Sequence, residues 1–182
     1  SDAVADVLGI ATKIIHQGLK FNFINKYKEP GKLGVDRICA VEAAVKKYGK
    51  PVIVADFGTA TTIEVVNTEG HYLGGVIMPG IKTMSKSLYD NTSRLPEIDY
   101  KFPDSIIGEN TIDCIKSGVL YGSLFAFEEF VRRVIESHTG QARIVVTGGL
   151  ARLILAQSSF ELLYDPNLVM EGILGIYLEN FS

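Results

Sequence analysis

Along the chain, apolar positions alternate between the three-to-four spacing of a helix face and the short continuous or alternating runs of strands, the pattern of a layered α/β arrangement. Ile38, Val41, Val45 and Tyr48 fall on one face of a helix that Gly49 and Pro51 end. Pro51 to Asp56 is an apolar run rich in β-branched residues, which predicts a strand buried on both faces with a carboxylate at its end. Thr61 to Val66 alternates, Asn67 to Gly70 turns the chain, and His71-Tyr72-Leu73 follows, so three strands in a meander are expected.

The second half repeats the alternation. A helix is predicted from Lys82 to Tyr89, after Pro79-Gly80, and the polar stretch from Asp90 to Gly108, with Pro96 and Pro103, reads as a long functional loop. Asn110 or Thr111 caps a helix carrying Ile115, Val119, Leu120, Phe127, Phe130 and Val134 as far as Ser137, and Gly118 and Gly122 predict a close neighbour on it. Its apolar stripe reads as core or as a dimer face. Arg143 to Thr147 predicts a buried strand, Leu150 to Gln157 a helix, Phe160 to Tyr164 a strand, and Asp165-Pro166 the entry to a last helix ending at Asn180.

Composition narrows the function classes. With 182 residues and 47% hydrophobic content, the chain predicts one compact body or two closely packed lobes. A formal net charge of −3 argues against a dedicated nucleic-acid or membrane-surface binder, whose footprint is basic. Cys39 and Cys114 form no Cys-x-x-Cys pair, which excludes a disulfide-dense scaffold and a cysteine zinc site; both read as inert core thiols of a reducing cytoplasm. No apolar run approaches the roughly 18 residues of a spanning helix, and Val4 to Ile15 has no basic start ahead of an apolar core. The expectation is a soluble, cytoplasmic protein. His16, His71 and His138 lack metal-ligand spacing, and Lys46 to Lys50 and Arg132-Arg133 read as solvated helix positions.

Candidate chemistry concentrates in Asp56-Phe57-Gly58-Thr59-Ala60-Thr61-Thr62. A carboxylate at a strand end can hold a cation, a glycine lets backbone approach an anion, and hydroxyls and amides can donate to it, which is what phosphoryl transfer needs. A tight hairpin that uses Gly58 only for its dihedral angles is the plainer reading. Asp-Phe-Gly is also a kinase signature, but the accompanying Gly-x-Gly-x-x-Gly and His-Arg-Asp elements are missing, as is a Walker A loop. Gly34-Val35-Asp36-Arg37 sets a carboxylate and a guanidinium at a helix start, either a base and an anion clamp or an N-capping Asp with a solvated Arg. Gly74 to Gly80 and Thr147-Gly148-Gly149-Leu150-Ala151 each read as a strand-to-helix passage, able to bring amides to a nucleotide or to serve only as a close turn.

Taken in order, Tyr27, Gly34 to Arg37, Asp56 to Thr62, Gly74 to Gly80, Gly108-Glu109-Asn110-Thr111, Thr147 to Ala151 and Asp165-Pro166 resemble the type III pantothenate kinases of the acetate and sugar kinase/Hsp70/actin superfamily. The resemblance runs from about Lys20 to Asn180. It implies a ribonuclease H-like (actin/hexokinase-like) α/β fold, a mixed sheet with helices on both faces. It also implies ATP- and Mg2+-dependent phosphorylation of pantothenate, the first step of coenzyme A biosynthesis, by a homodimer. By position, Asp36 would accept the proton, and Gly34, Val35, Arg37, Tyr27 and Thr111 would contact pantothenate, Thr111 from the neighbouring subunit. Asp56 would hold a monovalent cation, K+ or NH4+, and Gly58, Thr59, Gly148 and Gly149 would meet ATP. The family's first hairpin, Asp-x-Gly-Asn-Thr, does not occur in this sequence. Residues 1–19 are therefore expected to be a lead-in, the tail of a first domain, and residues 20–182 the carboxyl-terminal kinase domain, with the hairpin absent, cleaved or on a separate chain. Two further readings are a noncatalytic member resembling transcription accessory factors, and a pantothenate-binding half that needs a partner domain for ATP.

Overall fold

The computed structural model describes Gly9 and residues 12–182; the reading of residues 1–19 falls in part outside the described residues. A six-stranded sheet forms the centre, in the order β1-β4-β3-β2-β5-β6, from β1 (Ile24–Asn25), β2 (Val52–Phe57), β3 (Ala60–Val66), β4 (His71–Pro79), β5 (Arg143–Thr147) and β6 (Leu162–Tyr164). β2, β3 and β4 make the expected meander and pair antiparallel, while β5 joins β2 and β6 joins β5 in parallel, so the sheet is mixed. Parallel pairing requires crossovers, which helices supply.

Helices cover both faces. α1 (Val35–Tyr48) and α6 (Leu168–Phe181) lie on one, where Ile38, Val41, Val54, Leu168 and Ile176 share a core. On the other, α2 (Ile81–Asp90), the helical run α3 (Thr111–Lys116) and α4 (Gly122–Val134), and α5 (Ala151–Leu155) enclose Ile53, Phe57, Ile63, Leu120, Phe127 and Ile154. Each such fully buried side chain contributes about 1.5–3 kcal/mol relative to leaving it exposed. α1 and α6 meet closely because Gly172 has no side chain: a Cβ there would stand 1.9 Å from the Cys39 carbonyl oxygen. Lys47 pins the same two helices, 2.7 Å from Asp165 Oδ2 and 2.8 Å from Glu171 Oε2, so Lys47 is not the freely solvated position expected.

Several elements depart from the sequence reading. Gly74 and Gly75 lie within β4 rather than in a passage to a helix, because the strand continues to Pro79 and only Gly80 precedes α2. Gly75 sits opposite Glu64, where a Cβ would stand 1.9 Å from the Ile63 carbonyl oxygen. The helix from Thr111 is capped as expected, Asn110 Oδ1 accepting from the Asp113 amide at 3.0 Å, but a π turn at Ser117–Tyr121 interrupts it and another at Ile135–Thr139 ends it. Beyond the helix's own backbone, no atom lies within 4 Å of where a Cβ on Gly118 or Gly122 would be, so neither has the expected close neighbour within the described chain. Phe130 is also exposed rather than core. Cys39 is a core thiol, lifted to about 11 by burial and by the charges of Asp36 and Glu42, whereas Cys114 is exposed. The loop from Asn91 to Asn110 is irregular as predicted, yet Leu95, Ile98, Tyr100 and Phe102 pack it against the second core.

Candidate active site

The site is built around the β2–β3 hairpin. Its tip, Gly58-Thr59, is a two-residue turn in which the Gly58 amide donates to the Ala60 carbonyl at 3.1 Å. The tip is held from below: Thr59 O accepts from the Gly80 amide at 3.0 Å and from Thr83 Oγ1 at 2.6 Å. Gly80 permits that contact, since a Cβ there would stand 2.2 Å from Gly58 O. From the far side, the Leu150 amide donates to Phe57 O at 3.3 Å, which ties the passage after β5 to the same turn.

Asp56, the last-but-one residue of β2, is half-buried opposite Thr62 and Thr147. Burial, then the charges of Asp36 and Glu64, lift its pKa above the ordinary 3.8. Gly148 beside it has φ +96°, a left-handed conformation that disfavours any side chain, and a Cβ would lie 2.4 Å from Asp56 Oδ1 and 2.6 Å from Phe57 N. The strand end, the carboxylate and the glycine are thus one packed unit.

α1 brings the second group of residues. Gly34 is its N-cap and Asp36 stands in the first turn, exposed, with Oδ1 accepting from the Arg37 amide at 2.9 Å. A carboxylate there is favoured by the helix dipole. A Cβ on Gly34 would stand 2.6 Å from that oxygen, so Gly34 makes room for Asp36. Arg37 is not the solvated side chain of the plainer reading: it is buried and forks onto Glu64, Nε to Oε1 at 2.6 Å and Nη2 to Oε2 at 2.8 Å. Burial opposes its charge, and the Glu64 bonds more than offset that, leaving its pKa above the ordinary value. Tyr27 lies over the guanidinium, 5.7 Å from ring centroid to Cζ.

Two clefts meet at the hairpin tip. One, about 340 Å³, is lined by Asp36, Arg37, Asp56, Thr62 and Glu64 together with Gly58 and Thr59. The other, about 280 Å³, is lined by Gly58, Thr59, Lys82, Thr83, Lys86 and Gly149. The chain therefore joins Asp36, Arg37, Asp56, Gly58 and Thr59 in one place, and Gly149 with the tip in the next. Gly74 and Gly75, as strand residues, present no amide turn to either cleft. Thr111 is elsewhere, in a cleft of about 960 Å³ with Met84, Leu88, Asn110 and Cys114. Sequence reading missed Glu64, whose signal was a lone acid inside an apolar strand run, and Lys82 and Lys86, a basic i, i+4 pair directly after Pro79-Gly80. Among the described residues, no three His, Cys, Asp or Glu side chains cluster as a metal centre.

Residues 1–133 match the family model described as type III pantothenate kinase. The chain belongs to the type III pantothenate kinase family. The fold has relatives among solved structures. A Campylobacter jejuni protein described as a conserved Baf family transcriptional activator is 25% identical with a TM-score of 0.65, over 87% of this chain and 69% of that one. Xylulose kinase from Rhodospirillum rubrum is 14% identical with a TM-score of 0.50, over 99% of this chain and 45% of that one, a likeness of fold alone. The architecture is thus the actin/hexokinase-like fold that the resemblance implied, shared with a sugar kinase. No helix among the described residues is long and apolar enough to cross a membrane.

Proposed function

We propose that this chain carries the acceptor and phosphate sites of a cytoplasmic pantothenate kinase, transferring the γ-phosphoryl group of ATP to the primary hydroxyl of pantothenate. The observation that carries the reading is the adjacency of the two clefts: an acidic one with Asp36 and Asp56, and a basic one with Lys82 and Lys86, sharing the Gly58-Thr59 turn. Pantothenate would occupy the first, with Asp36 against its hydroxyl and Arg37 and Tyr27 toward its far end. The triphosphate of MgATP would occupy the second, against the amides of Thr59 and Gly149 and the lysine ammonium groups.

In the reaction the acceptor oxygen forms a bond to the γ-phosphorus as the bond to the ADP oxygen breaks, and the hydroxyl proton passes to the Asp36 carboxylate. Because phosphoryl transfer is loose, Asp36 contributes orientation as well as proton acceptance. Asp56 suits a monovalent cation: it is a half-buried carboxylate whose pKa is raised by burial and then by the charges of Asp36 and Glu64, so positive charge beside it is favourable. When bound, K+ or NH4+ would supply that charge next to the transferring group. Thr111 lines a different cleft from Asp36, so its part in pantothenate binding requires a second copy of the chain, and the working unit is proposed as a homodimer.

A second reading, a noncatalytic regulator, draws on the Campylobacter jejuni relative. The acidic net charge and the carboxylates of Asp36 and Asp56 in the acceptor cleft weigh against it as a DNA-contacting protein. ADP release by the purified protein with pantothenate, MgATP and potassium separates the readings. Pantothenate-dependent release supports the kinase. Pantothenate binding without release points to a substrate-binding half that needs the Asp-x-Gly-Asn-Thr hairpin from a partner domain, and neither binding nor release favours the regulator.

A further inference from the structure

The Arg37 guanidinium sits where a cation is least welcome. It is buried, and it belongs to the first turn of α1, at the positive end of the helix dipole. Three strand residues offset this. Glu64 of β3, 1% exposed, takes Nε and Nη2 in a two-point fork. Tyr72 of β4, 1% exposed, donates its hydroxyl to Glu64 Oε2 at 2.5 Å and accepts from Nη2 at 3.0 Å. Gly75 of β4 leaves space for the carboxylate, since a Cβ there would lie 2.9 Å from Glu64 Oε2. A buried ion pair of this kind adds little net stability compared with apolar packing, so its lasting effect is on geometry. The fork fixes the plane of the guanidinium and leaves Nη1 outside the pair. Both Arg37 and Glu64 line the cleft that holds Asp36.

We infer that Glu64 and Tyr72 are positioning residues that aim Arg37 as a directed hydrogen-bond donor in the acceptor cleft, and that they set recognition of the acceptor's carboxylate end. The inference rests on the kinase reading for the identity of the acceptor. Neutralised by Glu64, Arg37 acts through direction more than through bare charge, and the cleft keeps the unbalanced carboxylates of Asp36 and Asp56. Losing the fork frees the guanidinium to turn, which weakens binding of a carboxylate ligand and leaves a neutral ligand of the same shape nearly unaffected.

The test is calorimetric titration of the whole protein with pantothenate and with its alcohol analogue, in which the carboxylate is replaced by a hydroxymethyl group. Glu64→Gln is expected to weaken pantothenate by about 10-fold, the scale of a hydrogen bond to a charged group, and the alcohol by less than about 2-fold. Tyr72→Phe, which removes only a hydroxyl, is expected to weaken pantothenate by about 3-fold with the same selectivity. It carries the test if circular dichroism shows that Glu64→Gln does not fold. Equal weakening of both ligands, or of neither, overturns the positioning role. A wild-type protein that binds neither ligand overturns the kinase reading itself, and the inference with it.

Discussion

The clefts on either side of the Gly58-Thr59 turn differ in charge and in how that charge is held. At Asp36 the functional groups are side chains on regular elements: Asp36 and Arg37 on the first turn of α1, Asp56 on β2, Glu64 on β3, with the one guanidinium bound to a carboxylate. At Lys82 no lining residue is acidic; the cleft combines two lysines of α2 with backbone from the Gly58-Thr59 turn and from Gly149 after β5. Lys86 is partly committed, 2.8 Å from Asp90 Oδ2, while Lys82 has no carboxylate partner among the described residues. One side is suited to take a proton and the other to hold an anion. Keeping the two signs apart across a single turn lets a base and a polyphosphate approach one another without neutralising each other.

The sharpest break in this comparison is Asp36→Asn, expected to lower turnover by at least roughly 10²-fold while pantothenate affinity and thermal stability stay near wild type; steady-state kinetics beside titration measures both. Gly148→Ala acts at the seam. Its left-handed backbone and the closeness of Asp56 and Phe57 make it cost about 1–3 kcal/mol, a fall in Tm of about 5 °C by calorimetry. Lys82→Ala belongs to the basic side alone, and is expected to raise KM for ATP about 5-fold with pantothenate affinity unchanged. Lys86→Ala should do less, since Asp90 already shares its charge.

The smallest effect concerns Asp56. A carboxyl whose folded pKa is raised favours the fold when protonated; that contribution is complete below the ordinary 3.8 and is lost as pH rises through the raised value. Asp56→Asn is therefore expected to raise Tm slightly at neutral pH and to leave it unchanged well below pH 3.8, in a pH series of melting curves. The same substitution should abolish any difference in turnover between potassium and sodium.

The meander and the helix from Ile38 to Gly49 were legible because periodicity and a stop glycine speak locally, and Asp56 to Thr62 was legible because a carboxylate ends an apolar run. The start of α1 was less so: Val35 begins it three residues ahead of the first periodic apolar position, with no side-chain cap to announce it. Gly74 and Gly75 misled because glycine doublets usually mark turns, whereas here they let β4 pass beneath Tyr27 and opposite Glu64. The Arg37 fork could not be read at all from spacing, since Glu64 lies twenty-seven residues away and only strand register brings it to α1. The two-residue β1 is set by pairing with the start of β4 rather than by any pattern of its own.

The most direct test of the two-cleft account is amide hydrogen exchange on the protein titrated separately with pantothenate and with MgATP in potassium. The account predicts that pantothenate slows exchange at residues 34–37, and that MgATP slows it at residues 149–150 and in the first turn of α2. Protection of the opposite set by either ligand, or saturation binding that leaves both sets unchanged, would contradict it.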